Sequence, residues 1–277
     1  MFAAFLLAFR EGLEAALILG IALSLLYRLK RDDRARFIWL GAGLASLISL
    51  AFGAGFYGLG ITFEGSGEEL FEGIAMLLAA GVLTWMIFWM QRQGRTLRAD
   101  LERDVRRAAL GGGVWALFSL AFLAVLREGI ELALFLTAAA FTATAQETLI
   151  GGLLGLGAAG AVGWLIFATT TKLDVAAFFR FTSVLLILFA AGLVAHGIHE
   201  FNELGWVPAV IEHVWDLNPV LDESSDLGEM LKALVGYNGD PSLTEVLAYG
   251  GYWVAVLLAL WRMRVRALRN ASLLQSA

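Results

Sequence analysis

Seven separate stretches of the chain, at about residues 3–27, 37–60, 70–91, 112–144, 149–169, 181–203 and 246–263, are long and apolar enough to cross a bilayer. A hydrocarbon core about 30 Å thick takes roughly 20 apolar residues in a helix. Backbone polar groups inside it must pair within the chain. The expected fold class is therefore an all-α integral membrane protein with seven transmembrane helices. The fourth stretch is over-long and is expected to tilt or to start outside the core. Arg10, Glu11 and Glu14 interrupt the first stretch and nothing basic precedes it, so we expect a retained span and not a cleaved signal. Composition agrees: 59% of residues are hydrophobic and 16% charged, against about 25% charged in a soluble domain. The chain has no cysteine, which excludes disulfides, thiolate metal sites, iron–sulfur clusters and cysteine nucleophiles.

The formal net charge of −5 hides a segregation. Arg28, Lys30, Arg31, Arg34 and Arg36 follow span 1, and Arg92, Arg95, Arg98, Arg103, Arg106 and Arg107 follow span 3. Lys172 and Arg180 follow span 5, and Arg262, Arg264, Arg266 and Arg269 follow span 7. Most acids occupy the alternate loops, where Lys232 is the lone basic residue. Cytoplasmic loops collect Lys and Arg, so the N-terminus is expected outside and the C-terminus in the cytoplasm. The acidic outer face would attract cations.

Residues Phe5–Leu17 reappear, with conservative changes, as Phe122–Leu134. Both copies contain Arg-Glu-Gly-x-Glu, at Arg10–Glu14 and Arg127–Glu131. Spans 2 and 5 also match in type. Gly41, Ala45, Ser49 and Gly53 form one stripe of small residues, and Gly151, Gly155, Ala159 and Gly163 form another. Such stripes let helices approach closely. Three spans per copy is an odd number, so the second copy is inverted relative to the first, a common transporter plan. We expect a single transmembrane domain over 1–277, with repeat 1 at about 1–95 and repeat 2 at about 112–203. An outer loop with amphipathic helices follows at about 204–245, then a seventh helix at about 243–268.

At 100° per residue, Arg10, Glu11 and Glu14 share one helix face, as do Arg127, Glu128 and Glu131. A charge at the bilayer centre costs roughly 2.5–3.5 kcal/mol on insertion scales, so these six should face one another or a hydrated path. Gly12 with Ala16, and Gly129 with Ala133, form packing ridges on other faces. A plain Arg–Glu clamp between spans would need one carboxylate per arginine. Four carboxylates against two guanidiniums instead leave room for a cation, and hard oxygen ligands suit iron, manganese, magnesium or calcium.

A second constellation is expected at the outer mouth. Glu68, Glu69 and Glu72 begin span 3, while His196, His199, Glu200 and Glu203 form one stripe at the end of span 6. Imidazole with carboxylate suits transition metals. Glu69, Glu72, His196, His199, Glu200 and Glu203 are therefore candidate metal-handling residues. Acids also favour a helix N-terminus for dipole reasons alone. In the outer loop, Trp206, Val210, Val214 and Trp215 point to one interfacial helix, and Leu227, Met230, Leu231 and Leu234 to a second. Ser242 and Glu245 form a capping box before span 7. Asp222, Glu223, Asp226 and Glu229 read as a solvated face, and Met86 and Met90 as packing residues.

At its two Arg-Glu-Gly-x-Glu motifs the chain resembles the oxidase-dependent iron permease family of yeast and bacteria, whose mark is Arg-Glu-x-x-Glu in spans 1 and 4. The resemblance covers essentially the whole chain and favours the bacterial branch. It implies iron uptake across the plasma membrane, in bacteria the inner membrane, by a multi-pass protein. The motif glutamates Glu11, Glu14, Glu128 and Glu131 would line the iron path, oriented by Arg10 and Arg127, with the Glu69–Gly73 stretch also involved. Iron, ferric or ferrous, would be the cargo, with no permanently bound cofactor. In bacteria the resemblance implies periplasmic partners, a cupredoxin-containing protein and a haem peroxidase, and in fungi a multicopper oxidase. Membrane lipid is the expected surrounding, and no nucleic-acid partner is expected. Manganese or lead is the alternative cargo. An intramembrane carboxylate metalloenzyme is disfavoured, because di-iron enzymes commonly use Glu-x-x-His pairs and spans 1 and 4 hold no histidine.

Overall fold

A computed structural model of the chain describes residues 1–93, 97–111, 113–168 and 175–275. These residues form nine α-helices and no strand. They are α1 (Phe2–Arg28), α2 (Ala35–Gly60), α3 (Ser66–Gln93), α4 (Leu97–Leu110), α5 (Gly113–Thr142), α6 (Ala145–Ala168), α7 (Val175–Glu203), α8 (Asp226–Val235) and α9 (Leu243–Gln275). Arg95 and Lys172, two of the basic residues expected on the inner side, lie outside the described residues.

Five helices, α2, α3, α6, α7 and α9, are long and apolar enough to cross a membrane. Their outward faces are greasy. Trp39, Leu47 and Leu50 on α2, Leu153 and Trp164 on α6, and Leu247 and Trp261 on α9 are all exposed. In water such a surface would aggregate; against lipid it needs no cover. Helices α1 and α5, of 27 and 30 residues, are long enough to span but carry the two charged motifs, which turn inward.

The helices pack as pairs. α1 lies along α6, α2 along α5, and α3 along α7, with α1 also meeting α5 and α9 leaning on α7. The small-residue stripes lie at the first two of these interfaces. A Cβ placed on Gly41 would strike the Phe118 carbonyl of α5, and one on Gly151 would strike the Met1 carbonyl beside α1. Gly12 faces Ala159 at 2.9 Å from its would-be Cβ, and its repeat counterpart Gly129 faces the Ser49 hydroxyl. Gly163 faces Ala16 at 2.8 Å, and Gly53 faces the corresponding Ala133 at 3.1 Å. Backbones this close gain dispersion along their whole length, which is the main attraction between helices in lipid.

The buried core divides into two larger clusters and a small third one, Ala42, Ala45 and Val125, between α2 and α5. One cluster, including Leu7, Met76, Leu83, Phe135, Phe189 and Leu193, fills the space among α1, α3, α5 and α7. A second, including Leu26, Ile38, Val105, Ala109 and Leu117, joins α1, α2 and α5 to α4. Here the structure departs from the sequence reading, which treated the segment after span 3 as a basic loop. Leu101, Val105, Ala108 and Ala109 recur at helical spacing, so the segment folds as an amphipathic helix. It buries that stripe on α1 and α5 while Arg103, Arg106 and Arg107 stay exposed. Arg34 fastens it by donating Nη1 to the Ala109 carbonyl at 3.1 Å.

The outer loop yields one helix and not two. Leu227, Met230, Leu231 and Leu234 fall on α8, capped by Ser225, whose hydroxyl accepts from the Gly228 amide at 3.1 Å. Gly236 ends it at φ +70°, close enough to Gly192 of α7 that a side chain on it would strike the Gly192 Cα. The expected helix over Trp206–Trp215 is absent. Pro208 lies within the segment and Val210 takes φ +64°, both hostile to a helix. Its backbone pairs elsewhere: Val214 donates to the Pro241 carbonyl at 3.0 Å and Leu217 to Gly239 at 2.7 Å. The capping box does form, with the Ser242 amide donating to Glu245 Oε1 and the Glu245 amide donating to Ser242 Oγ.

Candidate metal centre

On α1 the residues at i, i+1 and i+4 of the motif point into the bundle. Arg10 is fully buried and bridges both neighbours, Nη1 donating to Glu11 Oε1 at 2.7 Å and Nη2 lying 3.0 Å from Glu14 Oε1. Each of these nitrogens also donates to a thioether of α3, Nη1 to Met86 Sδ and Nη2 to Met90 Sδ, both at 2.7 Å. On α5 the copy is arranged differently. Arg127 Nε donates to Glu131 Oε1 at 2.8 Å and lies 4.0 Å from Glu128 Oε1. Its guanidinium sits over the Trp89 ring at 4.3 Å, with Trp85 at 5.9 Å. Its side chain is 32% exposed, so the two motifs share a sequence but not an environment.

The crossing of α1 and α5 brings the acids together. One oxygen from each of Glu11, Glu128 and Glu131 lies within 4.8 Å of the others. Opposite ligands of one cation lie about 4–5 Å apart when metal–oxygen bonds are ~2.0–2.6 Å, so these oxygens already have the spread of a single coordination sphere. All three residues are buried, and Glu11 Oε2, Glu128 Oε2 and Glu131 Oε2 have no hydrogen-bond partner among the described residues. Leaving a buried acceptor unsatisfied costs about 1–3 kcal/mol, more when it is charged; a cation would supply what is missing. Glu14 is also buried and lies within electrostatic reach of Glu11 and Glu131, but it stands outside the tight trio, beside Arg10. Among the described residues, no other group of three or more His, Asp or Glu converges this closely.

The outer constellation is looser. Gly73 lets the start of α3 press on the end of α7, its would-be Cβ only 3.2 Å from both Glu200 Cβ and the Gly197 carbonyl. Glu72 thereby comes within electrostatic reach of Glu200, and Glu200 of Glu68, Glu69 and Glu203. The histidines turn elsewhere. His199 Nδ1 is paired with Glu245 Oε1 of α9 at 3.1 Å, and its Nε2 lies 3.9 Å from Glu203. Glu245 is held in turn by Asn238 Nδ2 at 2.8 Å. His196 lies deeper and buried, with Nδ1 facing the Gly192 carbonyl one turn back at 3.0 Å and Nε2 without a partner among the described residues. The single stripe of the sequence thus splits: Glu200 faces the acids of α3, His199 faces α9, and His196 faces the core. Sequence reasoning missed the thioether partners of Arg10 and the tryptophan faces against Arg127. The i, i+4 spacing of Met86 with Met90, and of Trp85 with Trp89, was their only signal.

A bundle of apolar helices enclosing a buried cluster of carboxylates that could hold a cation defines a multi-pass membrane protein. Comparison with known proteins names the kind: the chain matches the iron permease FTR1 family over residues 1–271 and belongs to it. It is 36% identical over 261 residues to the ferrous iron permease EfeU of Escherichia coli O157:H7, covering 94% of this chain and 95% of that one. It is equally similar to the ferrous iron permease EfeU of Shigella sonnei. Against the ferrous iron permease EfeU of Yersinia pestis it is 37% identical over 260 residues, covering 93% and 92% of the two chains. No solved structure matches it. The chain is accordingly an iron-transport protein of the plasma membrane and a permease, not an enzyme.

Proposed function

We propose that this chain imports iron through a central site made of Glu11, Glu128 and Glu131, with Glu14 beside them and Arg10 and Arg127 as resident counter-ions. The observation that carries this reading is the convergence of three buried carboxylates from two different helices to within 4.8 Å, each with an unpartnered oxygen. The similarity to ferrous iron permeases favours the ferrous ion as cargo; manganese and lead are the competitors to test. Iron flux into liposomes holding only purified protein tests it directly. Accumulation at an equal rate in vesicles carrying the Glu11→Gln/Glu128→Gln variant would refute the site.

The same reading places seven spans in the membrane, with α1 and α5 joining the five apolar helices, the N-terminus outside and the C-terminus in the cytoplasm. The α1–α6 and α2–α5 interfaces use corresponding residues of the two sequence copies, which supports two inverted three-helix repeats. Cysteines introduced singly at Ser66 or Ser224, both exposed, should react with an impermeant thiol reagent in intact cells. One at Asp33, exposed at the turn between α1 and α2, should react only after the cells are opened. Labelling of the Asp33 variant from outside would invert the assignment.

Glu69, Glu72, Glu200 and Glu203, with His199 close by, act in this reading as a collecting rim, and His196 lies behind it. Acidic rims raise local cation concentration without taking part in the central step. The Glu72→Gln/Glu200→Gln variant should therefore raise KM for iron by about 3- to 10-fold and leave kcat unchanged. Wild-type kinetics in that variant would reduce the rim to a polar helix end. Periplasmic cupredoxin-containing and haem-peroxidase proteins remain the proposed partners at this face.

A further inference from the structure

A dry layer separates the collecting rim from the central carboxylates. Leu7 stands one turn before Glu11, Phe135 one turn beyond Glu131, Met76 one turn after Glu72, and Leu193 two turns before Glu200. Together with Leu83 they pack into one cluster in which each is at most 1% exposed. An iron ion crossing this layer would lose its water among apolar side chains, at a prohibitive desolvation cost. The layer must therefore part for each ion, and the structure is closed on this side. One wall of the layer is not a spanning helix. α8 descends from the outer loop onto α1, α5 and α7, and its Leu234 packs against the same cluster. A glycine pair seats its end: a Cβ on Gly192 of α7 would lie 2.7 Å from both Cα and N of Gly236. The rest of α8 is held loosely. Leu227 and Met230 of its apolar stripe are exposed. Lys232 meets Glu223 in a partly exposed ion pair at 3.7 Å, of a kind worth little. A short, half-seated helix opens at lower cost than the spanning helices around it.

We propose that α8 is the gate on the acid-rich side of the bundle. It lifts from Gly192 to let iron pass from the rim to the centre, and its return seals the layer behind the ion. When lifted, its Leu227–Met230 stripe rests in the membrane interface, where an amphipathic helix is at home. This inference rests on the central site and the rim proposed above.

The chain has no cysteine, so single introduced cysteines report on the layer. Ala138 is fully buried in the same cluster, and the Ala138→Cys variant should react slowly with an impermeant thiol reagent added to intact cells. Adding Gly192→Ala, which denies α8 its seat, should speed that reaction about tenfold or more. Leu234→Ala should do the same while leaving the glycine contact in place. Gly251→Ala, with nothing within 4 Å of its added carbon, should have no effect. A second measurement needs none of these packing variants. Fluorophores on the Leu227→Cys/Ser66→Cys variant, at two exposed positions on α8 and at the start of α3, are read by single-molecule energy transfer in nanodiscs. One distance is expected without iron, and a second, longer one when ferrous iron is added anaerobically. Unchanged Ala138→Cys labelling in both packing variants would overturn the gate, and so would a single fixed distance in labelled protein that still transports iron. Glu128→Gln is run alongside for iron uptake. If it transports normally, the central site itself is wrong; if it fails while α8 stays fixed in transporting protein, the site stands and only the gate falls.

Discussion

Replacing Glu128 by Gln should cut iron uptake by about 100-fold or more, the upper range of effects seen even for groups one step removed from a metal. Gln keeps the shape of Glu and removes the charge, so the bundle should still assemble. Glu128 Oε2 has no partner among the described residues, so the substitution would remove a proposed ligand and break no described hydrogen bond of that oxygen. Glu11→Gln and Glu131→Gln should match it, since the three oxygens form one group. Doubles within the trio should be little worse than singles, because residues acting as a unit are non-additive. Glu14→Gln should be milder, by about tenfold or less, because Glu14 stands beside Arg10 and outside the trio. Uptake of radiolabelled iron in a transport-deficient host, normalised to protein in the membrane, measures all four. Loss in the α1 variants with normal uptake in well-expressed α5 variants would mean the second motif is only a structural copy.

Gly41→Ala and Gly155→Ala should each destabilise the bundle strongly. The added carbon at Gly41 would meet the Phe118 carbonyl and, at 3.0 Å, the Phe122 amide. At Gly155 it would meet the Phe5 carbonyl and, at 2.9 Å, the Phe9 amide. These are backbone atoms of a neighbouring helix and cannot rotate away, so the helices must separate. Overpacking of this kind costs about 1–3 kcal/mol, or roughly 2–12 °C in Tm for a chain of this size. Each variant should melt earlier by that amount in detergent, and the double should give little monodisperse protein. Gly43 and Gly157 lie near them on the same helices with nothing within 4 Å; their Ala variants should be silent. Equal melting of all four would show that the stripes do not set the helix spacing.

Much of this was legible in the sequence, for reasons tied to particular residues. The inward turn of Arg10, Glu11 and Glu14 followed from the cost of charge in lipid, and the close approach at Gly41 and Gly155 from the absence of a Cβ. The Ser242–Glu245 box is a local signal and formed as read. What failed to show was what depends on a distant neighbour. The amphipathic period of α4 was present, but six arginines in the surrounding stretch read as a loop until its apolar stripe met Leu26 and Leu117. The Trp206–Trp215 segment had the right spacing for a helix and the wrong backbone. Met86 and Met90 read as filling because nothing local says that a buried guanidinium lies opposite them. The His196–Glu203 stripe was a correct pattern on one helix, yet its members answer to three different partners.

The backbone contact along α1–α6 and α2–α5 has a mechanical consequence. Helices locked by carbonyls lodged against glycines cannot slide past each other, since packed interfaces shift between discrete arrangements and do not deform smoothly. Each pair is therefore expected to move as one rigid jaw. Glu11 rides on the first jaw, Glu128 and Glu131 on the second. The gap between these oxygens is then not a local property of any side chain but the opening of a caliper whose arms are whole helices. In the proposed iron site, a small change in the angle between the jaws, made anywhere along their length, would reset the size of ion that the carboxylates can grip.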